Sequence, residues 1–544
     1  MPNTIPFRTF GTMLDCSRNA VPNLDTLKRW IDLTASLGYN TLLLYTEDTY
    51  TVDGEPYFGY MRGRYAQEEL READAYAAAR GMTLMPCIQT LAHLHTLKRW
   101  PEYLPHFDTH DILLVGDERV YELIDHMFAS LASCFSCRTI HIGMDEAEMF
   151  ARGKYFDQHG DCNRTEVLLS HLRRVCQIGA RYGFRFLIWS DMFFKLANGG
   201  EYYPKDISVD LSVRELIPEN VELVYWDYYS QEKSHYDDML RAHQALDPDT
   251  WFAGGLWKWT GYAPHNGFSI RAGREALASC RAHGVQDVFL TLWGDDGGEC
   301  SPFTLLPSLF YMSELAKGET DDAAIRSRFA DRFGVPFDAF MELDLLGTGN
   351  ARADRYSNPN KYLLYNDPFT GMLDKTVVSG EGAQFGTCAN RLEALQNTPE
   401  WGYLFRTLGA LSRLLEVKAE LGVRTRSAYQ RGDRAALAAL LEDYDETLRR
   451  LAAFHAVYQA QWMQENKPHG FDVQDLRLGG LMQRIKSCRA RLQAYCDGAL
   501  TRIDELEEAT LDFFDGDKRG AWPLITHWGV IATPNTAYAQ FCGF

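Results

Sequence analysis

The run Thr139-Ile140-His141-Ile142-Gly143-Met144-Asp145-Glu146 is apolar and strand-like, breaks at a glycine and ends in two adjacent carboxylates. Two carboxyl groups held close together cannot both ionise freely, so one keeps its proton nearer neutral pH and becomes a candidate general acid. An isolated Asp-Glu pair is more often a solvated loop that opens the next helix. The residues that arrive beside the pair decide between the two.

Short β-rich runs alternate with amphipathic helical stretches from the N-terminus to about residue 317. The runs are Arg8–Leu14, Asn40–Tyr45, Met82–Ile88, Thr139–Gly143, Arg185–Trp189, Glu222–Trp226, Trp251–Gly255 and Asp287–Trp293. Helical stretches such as Leu24–Leu37 after the cap Asn23, Glu68–Arg80, Val120–Ser133, Thr165–Tyr182 and Ile270–His283 lie between them, several closed by glycine. Eight such units predict an α/β fold, a (β/α)8 TIM barrel spanning residues 1–317. Beyond Lys317 apolar residues recur every three or four positions, in Asp321–Phe333, Trp401–Leu421, Arg434–Ala456 and Leu476–Phe513, which predicts an α-helical C-terminal domain over 318–544. Gly347–Asn390 reads as a long loop that could reach the barrel mouth or a partner subunit, compatible with a homodimer, and the aromatics of Trp522–Phe544 as a docked tail.

Active sites of such barrels are built at the C-terminal strand ends. Those ends supply Asp15 and Arg18, Glu47 and Asp48, Gln89 and His93, Asp145 and Glu146, Trp189 and Asp191, Trp226, Asp227 and Tyr228, Trp257 and Trp259, and Trp293 and Asp295. Aromatic side chains at four consecutive strand ends, among carboxylates, suit a polar ring with an apolar face, a sugar. Each indole alone could cap the core; Arg18 could be a surface ion-pair residue, and its fork of donors also fits vicinal hydroxyls. A histidine near the pair, His93, could tune the acid. A metal held by His93, His141, Glu47 and Asp145 is disfavoured, because side-chain direction alternates along the strand that carries His141 and the rim is rich in tryptophan.

A net charge of −19 argues against nucleic acid or another polyanion as partner. No apolar run approaches the ~20 residues of a membrane span and the first residues do not resemble a signal peptide, so no membrane association and a cytoplasmic location are expected. Twelve cysteines with the single C-x-x-C of Cys134 and Cys137 read as reduced thiols rather than a metal or redox centre.

His141-Ile142-Gly143-Met144-Asp145-Glu146 resembles the H-x-G-x-D-E motif of glycoside hydrolase family 20, the β-N-acetylhexosaminidases, and falls on the fourth barrel strand as it does there. Met13-Leu14-Asp15-Cys16-Ser17-Arg18 is similar to the family's first-strand segment, Leu91-Ala92-His93 to its P-G-H and Trp293-Gly294-Asp295 to its W-G-E. Leu91-Ala92 replaces Pro-Gly, Thr46-Glu47-Asp48 stands where H-W-H-x-x-D-D is usual, and no strand-7 tyrosine matches, leaving Tyr228, Trp257 and Tyr262 as candidates to hold an acetamide. The absence of a small domain before the barrel looks like a divergent, intracellular-type branch with a helical C-terminal domain. The resemblance implies exo-acting, retaining, substrate-assisted hydrolysis of terminal β-linked GlcNAc or GalNAc from glycans or glycoconjugates, without a cofactor or metal. It casts Glu146 as acid and base, Asp145 as the residue that orients the acetamide, and His93 with Glu47 or Asp48 as support. Trp189, Trp226 and Trp293 would form the pocket wall, Arg18 and Asp295 would bind hydroxyls, and His141, Tyr228 and Trp257 complete the candidate substrate-binding set. The alternatives are another acetamido-sugar barrel glycosidase, such as an O-GlcNAc-removing enzyme, and a non-catalytic sugar-binding barrel.

Overall fold

Eight parallel strands pair in chain order and close on themselves: β1 (Thr9–Asp15), β2 (Thr41–Tyr45), β3 (Thr83–Cys87), β4 (Thr139–His141), β5 (Arg185–Trp189), β6 (Val221–Trp226), β7 (Trp251–Gly255) and β8 (Asp287–Leu292). The structure, a computed structural model, describes residues 5–204, 207, 211–348, 357–513 and 528–532. The eight predicted runs fall on these strands. The strand β4 stops short of its predicted end, at His141, because Gly143 takes φ +73°, outside the extended range that a ladder needs.

Side-chain alternation sorts the strands into two layers. Met13, Leu43, Met85, Cys87, Leu187, Val224, Ala253 and Phe289 point inward and fill the barrel. Their neighbours, such as Leu42, Leu44, Ile140, Phe186, Ile188, Leu223, Phe252 and Val288, pack outward against the helices. The same parity carries Asp15, Tyr45, Gln89, Trp189, Trp226 and Trp293 to the inner side of the C-terminal rim. Helices follow the strands as predicted; Leu24–Leu37, for example, starts where the Asn23 side chain accepts the Thr26 N–H and ends at the left-handed Gly38.

After Leu306–Ala316 the described chain is helical: Asp322–Phe333, Glu381–Leu395, Gly402–Lys418, Leu421–Gln430, Arg434–Glu465 and Phe471–Cys496 are its main helices. The predicted loop at Gly347–Asn390 is corrected where it is described. Pro359–Tyr365 and the start of Glu381–Leu395 are helical, and Pro359 occupies a first-turn position where no donor is lost. Its polar residues are spent on fixed bonds, since Asn358 donates to the Thr260 carbonyl at 2.6 Å, Asn360 accepts the Tyr262 N–H at 2.8 Å and Asp367 accepts the N–H of Phe369 at 2.8 Å. Most of the predicted tail, Trp522–Phe544, lies outside the described residues; within 528–532, Trp528 meets Tyr365 edge-on.

The helical region grips the barrel through buried charge. Lys361, without solvent exposure, reaches Glu299 at 2.8 Å and Asp296 at 3.2 Å, and Arg477 reaches the same two carboxylates at 3.0 and 3.1 Å. Among the described residues no helix is long and apolar enough to cross a membrane, and all eleven described cysteines are unpaired.

Candidate active site

The chain after β4 turns sharply and presents its two carboxylates from a strained backbone. Gly143, Met144 and Glu146 all have positive φ, at +73°, +72° and +51°. Non-glycine residues in this region cost of order 1–3 kcal/mol each, so their surroundings must hold them there. The side chain of Gln89, just past β3, does part of this. Its Oε1 accepts the Met144 N–H at 3.0 Å while its Nε2 donates to Asp145 Oδ1 at 2.7 Å and to the Tyr45 hydroxyl at 3.0 Å. Glu47, His93 and Asp295 also have positive φ, so the unfavourable backbone geometry of several strand ends converges on one rim.

His93 lies between the two carboxylates, with Nε2 3.3 Å from Asp145 Oδ2 and 3.8 Å from Glu146 Oε2. Burial alone would drive its proton off, but the Asp145 charge, reinforced by Glu47, outweighs this and lifts the imidazolium to about 10. Burial opposes ionisation of Asp145 too, yet His93 and the Gln89 bond hold it below the usual carboxylate range. Glu146 moves the other way, raised by enclosure and then by the Asp145 charge, although 52% of its side chain stays open to the mouth. The two carboxyls are therefore shifted in opposite directions, Asp145 toward ionisation and Glu146 toward keeping its proton.

Behind this centre, the guanidinium of Arg18 pairs with fully buried Glu47 and donates to Ser17 Oγ at 2.7 Å, while Tyr45 donates to Glu47 at 2.9 Å. Burial opposes the Glu47 charge, but Arg18 and His93 hold its carboxyl below its ordinary value. Asp15 accepts from Ser17 and from the Gly294 N–H at 2.8 Å, which fixes the loop bearing Asp295. Enclosure, offset by Arg18 and reinforced by Asp15 and Glu146, pushes Asp295 up to about 7.

The cleft in front is lined by Arg18, His93, Asp145, Glu146, Trp189, Trp226, Tyr228, Trp259, Trp293 and Asp295 from the predicted strand ends, and by Tyr45 and Tyr229. Its rings interlock: Tyr45 meets Trp293 edge-on at 4.9 Å, and Trp226 stacks on Tyr228 at 5.3 Å. The aromatic and polar lining suits a pyranose ring. Five predicted residues lie outside the lining. Glu47 stands behind Arg18, and Asp48 pairs with Arg62 at 3.2 Å. His141 is packed beneath Trp189, with ring centroids 4.2 Å apart; burial lowers it to about 3, so it is neutral, and its Nδ1 accepts the Gly143 N–H. Trp257 is buried behind the wall, its indole N–H donated to the Tyr228 carbonyl at 2.8 Å. Tyr262 is also buried away from the cleft, against Tyr365. Tyr45 was legible in principle, since it shares the inward parity of Leu43. Among the described residues no cluster of three or more His, Cys, Asp or Glu is arranged to hold a metal ion.

Two family models match the chain: "Glycosyl hydrolase family 20, catalytic domain" over residues 6–237 and "Glycoside Hydrolase 20C C-terminal domain" over residues 336–522. The chain belongs to glycoside hydrolase family 20. Among curated family relatives, a beta-hexosaminidase of Vibrio furnissii is 31% identical over 286 residues, covering 38% of this chain and 46% of that protein. Hexosaminidase D of Homo sapiens is 24% identical over 280 residues, covering 48% of this chain and 54% of its own length. The chain thus spans about half the length of the curated relatives it matches. Among solved structures, the GH20 exo-β-N-acetylglucosaminidase of Vibrio harveyi, in complex with N-acetylglucosamine, aligns with a TM-score of 0.47 at 18% identity, over 62% of this chain and 58% of that one.

Proposed function

We propose that this chain is a glycoside hydrolase, an exo-acting β-N-acetylhexosaminidase that removes terminal β-linked GlcNAc or GalNAc with retention, the 2-acetamido group of the substrate serving as nucleophile. The observation that carries this reading is the asymmetry of the acidic pair: neighbours on one turn, with His93 Nε2 3.3 Å from Asp145 and favouring its charge, and with Glu146 shifted the other way, toward keeping its proton, by enclosure and the Asp145 charge. Carboxylates on adjacent residues are poorly placed to flank an anomeric carbon from opposite sides, as a two-carboxylate mechanism requires, whereas an internal nucleophile needs only one acid and one charge-stabilising partner. Glu146 donates its proton to the leaving oxygen and then takes one from water. Asp145 orients the acetamide and balances the positive charge that develops as its oxygen attacks C1. Trp189, Trp226 and Trp293 enclose the acetamide and sugar face; Arg18 and Asp295 bind ring hydroxyls, and Glu47 holds Arg18. A cytoplasmic location is supported by the unpaired state of the described cysteines, and a 1–317 catalytic unit followed by a 318–544 helical unit fits the change of architecture after Leu306–Ala316.

Nitrophenol release from the β-GlcNAc, β-GalNAc and plain β-glucoside derivatives tests the reading. Turnover of the acetamido sugars with an almost inert glucoside is expected. A glucoside hydrolysed equally well means that a protein carboxylate attacks, and no turnover of any of the three points to a sugar-binding barrel.

A further inference from the structure

The left-handed turn that presents Glu146 is held from a second side by a carboxylate to which the proposed mechanism gives no task. Asp191 follows β5 and opens the helix Asp191–Ala197; its side chain is fully buried. Its Oδ2 accepts the backbone N–H of Glu146 at 2.9 Å and lies 3.1 Å from Lys195 Nζ. The same ammonium pairs with Glu148, two residues beyond Glu146. Asp191 and Lys195 therefore bind the chain on both sides of the acid. Gln89 holds Met144 and Asp145 from β3, and Asp191 holds Glu146 from β5, so the strained turn is clamped by side chains of the two strands flanking β4.

We propose that Asp191 is a positioning residue for the general acid: its Oδ2 bond to the Glu146 N–H keeps Glu146 in the left-handed conformation that aims its carboxyl into the cleft. A residue at φ +51° relaxes toward negative φ unless something specifies otherwise, and this is the bond the structure gives to the Glu146 N–H. The bond tolerates titration of its acceptor. Burial, followed by the Asp145 charge, lifts Asp191 to about 7, and a proton taken up there has Oδ1, which is buried without a partner, leaving Oδ2 as acceptor. Lys195 adds a charge-assisted contact that fixes which oxygen faces the turn.

The inference rests on Glu146 being the acid, and its test separates the two. Asp191→Ala loses the acceptor and Asp191→Asn keeps one, so the pair is compared with the parent on two N-acetyl-β-hexosaminides, one with a dinitrophenyl leaving group and one with a methyl or sugar leaving group. Asp191→Ala is expected to lower kcat ~10–100-fold for the poor leaving group, within the span that acid catalysis contributes, and only a few-fold for the activated one, with KM little changed. Asp191→Asn restores most of the loss. A purely structural defect would depress both substrates alike, and that result, or two variants that behave identically, overturns the proposal. A crystal structure of Asp191→Ala reads it without activity: Glu146 is expected to leave positive φ, and retention of its backbone and carboxyl position overturns the proposal even if the parent hydrolyses none of these sugars.

Discussion

Asp145 and Glu146 are sequence neighbours in different electrostatic surroundings, and substitution should separate them. Glu146→Gln removes the proton donor, so turnover of a substrate with a poor leaving group is expected to fall roughly 10²–10⁴-fold; Asp145→Asn removes the partner of a developing charge and should cost about 10²–10³-fold in kcat even with an activated leaving group. Equal sensitivity of the two variants to leaving group, in steady-state kinetics, would refute the division of roles. The pH profile follows from the same shifts. The active form has Asp145 ionised and Glu146 protonated, so activity falls as pH drops through the Asp145 value, below its usual 3.8, and falls again as pH rises through the Glu146 value, above its usual 4.5. His93, at about 10, stays a cation across that window and lowers both carboxyls. His93→Gln should therefore move both limbs of kcat/KM to higher pH. Unmoved limbs would mean that His93 carries no charge in the working enzyme.

At the scale of elements, the strands and their order were legible because eight short apolar runs alternate with amphipathic helical stretches and most of those runs lead into polar or aromatic residues. The turn after β4 was legible as a break, through Gly143, but not as a clamp, because the residues that hold it come from β3 and the end of β5 and no spacing along the chain connects Gln89 or Asp191 with Glu146. Trp257 shows the limit of parity. It shares the phase of Trp251 and Ala253, but β7 ends at Gly255 and the chain bends, so the indole turns behind Tyr228. Helical content in the Asn-, Gly- and Pro-rich segment before residue 390 was hidden for a related reason, since its polar side chains find partners on the barrel loops instead of water. The turn itself gives a sharp prediction. A Cβ on Gly143 would stand 2.1 Å from Gln89 Oε1 and 2.8 Å from the Ile88 carbonyl, whereas one on Gly81, also at positive φ, would meet nothing within 4 Å. Gly81→Ala should cost only the ~1–2 kcal/mol of a left-handed L-residue with kcat unchanged. Gly143→Ala should cost about 2–4 kcal/mol, since Gln89 must also surrender its bonds, and should depress kcat. Chemical denaturation and kinetics of the two variants check this; equal costs would mean that Gln89 can move aside freely.

At the scale of the whole molecule, the barrel and the helical region share a buried ring of alternating charge that bears on the cleft. Asp296 and Glu299 belong to the loop after β8 that places Trp293 and Asp295 in the wall, and Lys361 and Arg477 each contact both carboxylates. Backbone bonds from Asn23 to the Glu465 carbonyl and from Lys467 to the Val21 carbonyl stitch the first βα loop to the same region. A fragment limited to 1–317 would expose the carboxylates of that ring together with the apolar outer surface now covered, such as Phe303 against Trp401, and is expected to lack a cooperative unfolding transition. Lys361→Met tests the coupling in the full chain. Removing one partner of a buried ion pair typically costs ~3–5 kcal/mol because the remaining charge is stranded, and Arg477 still faces both carboxylates, so a loss toward the lower end is expected. Replacing Glu299 by Gln in the same chain removes the stranded charge and should recover part of it. Because the disturbed loop carries Asp295 and not the acidic pair, KM should rise more than kcat falls. A Lys361→Met chain with unchanged stability and unchanged KM would show that the helical region rests against the barrel without supporting the cleft.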